Sequence, residues 1–171
     1  AMTGRRGAGV NAISAIDMAL WDIKGKYENK PVFELLGGKK QNEVIPYASL
    51  QPVGHSFQEY KDSLVEWAKK AKDLGFKAVK SEVTLNGPYA HSGLKENDDK
   101  TTEVVEAVRN ALGPEIKLMI DVQYRWLNAD EALPVVKEWK DFDIYFLETP
   151  VWTDDIKSYA RMHDEAPMKI A

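Results

Sequence analysis

Residues 117–148 read KLMIDVQYRWLNADEALPVVKEWKDFDIYFLE. The apolar run Leu118-Met119-Ile120 closes on Asp121, and Ile144 to Leu147 closes on Glu148. Between them Ala129 to Lys140 carries its apolar residues at helical spacing. Short β-type runs flanking a helix predict a βαβ unit, because parallel neighbours need a crossover and that crossover is almost always a helix. The fold class is α/β.

The same rhythm extends outward. Strands are expected at Val44 to Ser49, Lys77 to Val83 and Met168 to Ala171, and helices at Ser56 to Leu74, Thr101 to Leu112 and Asp154 to Arg161. A doubly wound nucleotide-binding sheet places a glycine-rich turn after its first strand, whereas here Ser49 is followed by LQPVGHSF, without a G-x-G-x-x-G. Ser49, Glu82, Asp121 and Glu148 instead close successive strands, the pattern of a (β/α)8 barrel at its catalytic end. Only four strand-helix units and the opening of a fifth are present, where a closed barrel has eight in typically ~250 residues. The chain therefore reads as a partial TIM-type barrel, strands 1 to 4 and the start of 5. Ahead of it, Ala12, Ile16, Ala19, Leu20 and Ile23 predict an amphipathic helix over Asn11 to Lys26, followed by a short helical turn in PVFELL and a stop at Gly37-Gly38.

The composition narrows the function classes. The 171 residues carry 23 Lys+Arg against 27 Asp+Glu, a net charge of −4, with 44% hydrophobic residues. No positive stripe suits a phosphate backbone, which argues against nucleic acid. No apolar run approaches the ~18 residues of a membrane span, and AMTGRRGAG lacks the pattern of a signal peptide. The absence of cysteine removes disulfides, thiolate metal sites and Cys nucleophiles, and is compatible with a cytoplasmic location.

Two carboxylates at adjacent strand ends repel unless a cation intervenes, and hard oxygen ligands favour Mg²⁺. On spacing alone, Asp121 and Glu148 are equally readable as helix-capping or surface acids.

NAISAIDMALWDIKGK, PVFELLGG, IPYASL, GFKAVKSEV, IDVQYRW and FLETP follow one another in order. Together they closely resemble the mandelate racemase and muconate-lactonising branch of the enolase superfamily. The resemblance implies that residues 1–40 are the end of a capping domain with its linker helix and that 41–171 are the first half of the barrel. It implies Mg²⁺ as cofactor, Asp121 and Glu148 as metal ligands, and abstraction of the proton α to a carboxylate through an enediolate. The small-molecule partner is then an acid sugar or lactone, and a homo-oligomer is expected. The family's third carboxylate lies just after strand 5, beyond MKIA, and its His-Asp base lies in the second half-barrel. This segment alone is thus expected to be inactive, either continued by further residues or paired with a second half-barrel over its open edges.

Relatives carry Lys-x-Lys on strand 2, where this chain has Lys80-Ser81-Glu82. Glu82 shares a face with Lys80 and occupies the position of the usual catalytic Lys. Lys80 and Glu82 are the candidate catalytic residues, Glu82 as an altered acid/base or substrate-binding group, with a structural Glu-Lys pair as the other reading. Ser49 and Gln123 are candidate substrate-binding residues that suit a hydroxylated ligand. Tyr89 and His91 join them from the long loop TLNGPYAHSGLKENDD, about sixteen residues where two to six are usual. Trp126 is expected to pack beside the site. Arg125 either clamps a carboxylate or is solvated, His55 and His163 lie on solvated helix faces, and the tryptophans are read as helix packing.

These features favour an acid-sugar dehydratase, with sugar-lactone cycloisomerase or racemase/epimerase as alternatives of the same chemistry. An inactive, degenerate half-barrel that only binds metal or partners is the alternative of another class.

Overall fold

The computed structural model describes residues 7–171 and resolves the chain into two compact units, Ala1–Val44 and Ile45–Ala171. In the first, α1 spans Ala8–Glu28 and stops where Asn29 enters the left-handed region at φ 52°. Lys30 N–H then bonds back to Gly25 O at 2.9 Å. A β-carbon at Gly25 would meet Lys30 O at 2.8 Å, so this close return requires glycine. A short α2, Val32–Leu35, follows Pro31. The helix is longer than its sequence pattern predicts, and its apolar Ile16 and Ile23 are exposed.

The second unit alternates β1 (Ala48–Leu50), α3 (Phe57–Asp73), β2 (Ala78–Glu82), α4 (Asp98–Leu112), β3 (Lys117–Asp121), α5 (Ala129–Glu138), β4 (Ile144–Glu148), α6 (Ile156–Glu165) and β5 (Lys169–Ile170). All pairings are parallel and the spatial order is β1-β2-β3-β4-β5. Sequential order is barrel order, since a doubly wound sheet reverses direction at a switch point and this one never does.

Helix starts are fixed by side chains. Ser56 and Glu59 form a reciprocal capping box on α3, and Asn97, Asn128 and Asp155 cap α4, α5 and α6. The Asn97 cap, with Asp98 and Asp99 in the first turn, starts α4 earlier than the expected Thr101. Strand 1 is shorter than expected. Val44 to Tyr47 has no ladder partner among the described residues and Val44 is exposed, so pairing begins only at Ala48 opposite Val79.

One face of the sheet carries Val79, Leu118, Ile120 and Leu147, fully buried against Leu64, Val104, Val108, Val136 and Met162 of the helices. The other carries Lys80, Glu82, Asp121 and Glu148. Arg109 of α4 ties the layers together beneath the sheet. It is 8% exposed and donates to four backbone carbonyls: Phe142 (2.7 Å) and Gly113, Ile116 and Asp143 (each 2.8 Å). No helix among the described residues is long and apolar enough to cross a membrane.

Candidate active site

Strand register lines up the acids. Glu82 pairs with Asp121 and Asp121 with Glu148, so three carboxylates stand side by side at the ends of three adjacent strands. One level below, Ser49, Lys80, Met119, Phe146 and Lys169 form the next row. Lys80 reaches from β2 past β3 to Glu148, Nζ to Oε2 at 2.7 Å. Partial burial pulls the Lys80 ammonium down, but the hydrogen bond and charge of Glu148, with Tyr47 and Asp121, outweigh it and hold its pKa above the ordinary value.

Asp121 is oriented by its own turn. Its Oδ1 accepts from Gln123 N–H at 3.0 Å and from the Thr149 hydroxyl at 2.9 Å. That turn carries Gln123 (φ 45°) and Tyr124 (φ 62°) in the left-handed region, as does Thr149 (φ 46°) at the start of the loop after β4, a costly conformation for residues with a β-carbon. Beyond the strands the parallel ladder nevertheless continues, from Val122 N–H to Glu148 O (3.3 Å), Tyr124 to Thr149 (2.6 Å) and Trp126 to Pro150 (3.1 Å).

Glu82 is turned onto the Thr84 hydroxyl at 3.2 Å. Burial raises its pKa; the Thr84 bond opposes this and the Asp121 charge adds to it, and the net direction is up. Beneath it, the Tyr60 hydroxyl of α3 donates to Glu82 O (3.1 Å) and accepts from Thr84 N–H (2.7 Å), and burial pushes its own pKa up to about 12. Sequence reasoning misses Tyr60 and Thr149, whose partners lie far along the chain, and Thr84, which holds Glu82 two residues away without any motif to mark it.

Other candidates are placed less directly. Ser49 is exposed beside Lys80. His91 Nε2 lies 3.0 Å from Gly54 O, with its ring edge-on to Tyr60 at 5.5 Å, so it braces the loop it stands on. Arg125 is neither solvated nor open to a ligand carboxylate. Its side chain is 3% exposed, paired with Asp98 at 2.7 Å and bonded to Glu96 O at 3.2 Å, which pins the long loop down. Trp126 is buried and shares Asp98, whereas Trp152 lies on a loop and is exposed, unlike the helix packing expected of it. His55 precedes α3 rather than lying within it.

Asp121 Oδ2 and Glu148 Oε1 accept no hydrogen bond among the described residues. Two hard oxygen donors on neighbouring strands, each with one oxygen unused, fit Mg²⁺, which takes few protein carboxylates and completes its octahedron with water or substrate oxygens. Among the described residues no three His, Asp or Glu side chains close on one point.

Residues 63–171 match the family described as enolase C-terminal domain-like, and residues 2–37 match the mandelate racemase/muconate lactonizing enzyme N-terminal domain. This chain belongs to the mandelate racemase and muconate-lactonizing branch of the enolase superfamily. It is 34% identical over 160 residues to a D-gluconate dehydratase of Thermoproteus tenax, covering 94% of this chain and 31% of that protein. Among solved structures it is similar to the 3,6-anhydro-D-galactonate cycloisomerase of Zobellia galactanivorans, with a TM-score of 0.79, 37% identity and coverage of 97% of this chain and 42% of that one. A Bradyrhizobium enolase solved with magnesium and mandelic acid matches with a TM-score of 0.76 and 27% identity, over 99% of this chain and 42% of that one. The chain thus spans less than half the length of these relatives. Its fold is a partial TIM barrel of the enolase superfamily, a superfamily whose enzymes use Mg²⁺.

Proposed function

We propose that the full-length protein is an acid-sugar dehydratase, in which residues 1–40 close the capping domain and 41–171 form the first half of the barrel. The observation that carries this reading is the in-register row Glu82-Asp121-Glu148, with Lys80 bridging to its far end. Asp121 and Glu148 would hold Mg²⁺, whose positive charge offsets the charge that builds on the substrate carboxylate as the α-proton leaves. Lys80 holds the Glu148 carboxylate in place through its 2.7 Å hydrogen bond and adds a second positive charge to the same face. Glu82, where relatives carry a lysine, is half-buried beside Asp121, and burial with that neighbouring charge moves its pKa up, the direction a general acid needs. It serves as the acid that hands its proton from the carboxyl to the departing β-hydroxyl, which leaves as water. The α-proton goes to a base outside this segment, and the resulting enol tautomerises to the 2-keto-3-deoxy acid.

A cycloisomerase is the second reading, favoured by the likeness to the Zobellia enzyme. The deciding experiment assays the full-length protein with Mg²⁺ against a panel of four- to six-carbon aldonates and sugar lactones. A 2-keto-3-deoxy acid product supports dehydration, ring opening of a lactone supports the second reading, and turnover of neither removes both.

Glu82→Gln keeps the side chain's size and its acceptor oxygen for Thr84 while removing the proton it can give. It is expected to lower kcat for dehydration roughly 10²-fold, the low end of general acid catalysis, while exchange of the substrate α-proton with solvent deuterium continues. Equal loss of exchange and dehydration would show that Glu82 does not act at the leaving group.

A further inference from the structure

Three aromatic rings meet on the loops that leave the acid-bearing strand ends. Tyr124 and Trp152 lie 4.5 Å apart between centroids, Tyr89 and Tyr124 5.8 Å, and Tyr89 and Trp152 6.4 Å. Each comes from a different loop: Tyr89 from the one after Glu82, Tyr124 from the one after Asp121, and Trp152 from the one after Glu148. Tyr89 is 53% exposed and Trp152 54%, whereas Trp126 and Trp139 are 4% and 0% exposed in the core.

The cluster is held in place. The Tyr124-to-Thr149 and Trp126-to-Pro150 hydrogen bonds join the second and third loops, and the left-handed turn at Gln123-Tyr124 sets where the Tyr124 ring emerges. The first loop is pinned by Arg125 through Asp98 and Glu96. Gly87 makes that possible, because a β-carbon there would lie 3.1 Å from Arg125 Cα in an already positive-φ backbone. Rigid rings on three braced loops form a surface that a ligand does not have to order.

The edges of the rings are polar. Among the described residues, the hydroxyls of Tyr89 and Tyr124 and the indole N–H of Trp152 make no hydrogen bond. A purely apolar partner would bury these donors unpaired. A polyol chain offers C–H groups to the ring faces and hydroxyls to the ring edges, the pairing that amphipathic aromatics suit.

We propose that Tyr89, Tyr124 and Trp152 form a subsite for the polyol tail of the substrate, the carbons beyond the two that react, and so set the chain length the enzyme accepts. This rests on the acid-sugar reading above and adds to it a place where the tail binds.

The test is steady-state kinetics of the full-length protein with Mg²⁺ on four-, five- and six-carbon aldonates, comparing wild type with Trp152→Ala and Tyr89→Ala. The six-carbon acids are expected to show a KM about tenfold higher in either variant (~1.4 kcal/mol) with kcat falling far less, while the four-carbon acid shows little change in KM. Trp152→Phe and Tyr89→Phe should restore most of the lost affinity. If the alanine variants fold poorly, Trp152→Leu and Tyr89→Leu carry the same comparison. A KM independent of these rings overturns the proposal, as does a loss of kcat equal at every chain length. So does a lowered melting temperature with KM unchanged, which would mean that the rings pack against another part of the chain. Wild-type turnover with length-independent variants sinks the subsite alone, whereas no wild-type turnover of any acid sugar removes the functional reading and the subsite with it.

Discussion

If the full-length protein is the proposed dehydratase, Asp121→Asn and Glu148→Gln are each expected to cut its kcat at least about 10³-fold, corresponding to roughly 4 kcal/mol of transition-state stabilisation. The amide variants isolate the charge. Asn at 121 keeps an oxygen for the Gln123 N–H and the Thr149 hydroxyl, so the turn above β3 survives. Alanine would remove both bonds as well and confound ligand loss with a loosened loop. Gln at 148 keeps an acceptor for Lys80 Nζ but no negative charge. Calorimetric titration with Mg²⁺ reads the effect without turnover: affinity should fall in each single variant and vanish in the double one. Retained Mg²⁺ binding by the double variant would end the assignment of these two residues.

Arg109→Met is expected to destabilise the folded protein by about 3 kcal/mol. Four carbonyls lose their donor at once, and each buried acceptor left without a partner costs on the order of 1–3 kcal/mol, partly offset because a buried charge is also removed. Burial already pulls the guanidinium pKa down, with the Asp143 charge opposing it, so the site is held by hydrogen bonds more than by a counter-ion. Arg109→Lys should recover only part of the loss, since one ammonium cannot reach four carbonyls set around a planar fork. The measurement is the urea midpoint of the full-length protein at constant m-value. A Met variant within about 1 kcal/mol of wild type would show that water or backbone shifts satisfy those carbonyls instead.

Much of this architecture is legible in the sequence because the strands are short apolar runs that end abruptly on a polar residue. IYFLE is bounded in the structure where the sequence bounds it, at Ile144–Glu148, and the strand expected over Lys117 to Val122 ends one residue sooner, at Asp121. Strand 1 is less legible. Val44 and Ile45 look like strand residues by propensity, but pairing with β2 is what makes a strand, and only Ala48 to Leu50 find partners there. The alignment of Glu82 with Asp121 and Glu148 follows once parallel order is known, since each acid ends its own strand. The supporting groups do not follow. Arg125 looks like a solvated loop residue, and only the path of the long loop brings Asp98 and Glu96 over it. Trp152 has no local signal to separate it from the packing tryptophans, because its exposure depends on three loops at once.

The hydrogen bonds that carry the β3–β4 ladder past the strand ends have a consequence for engineering. Tyr124 and Trp126 are fastened to Thr149 and Pro150 by their own amides, so the two loops make one mechanical part. Their amide protons should exchange together, and neither loop can swing as a separate flap. Grafting a relative's loop after β3 alone would sever that seam and misplace Asp121 along with it. A change of substrate range made by loop exchange must therefore transplant residues 122–127 and 149–153 as a matched pair.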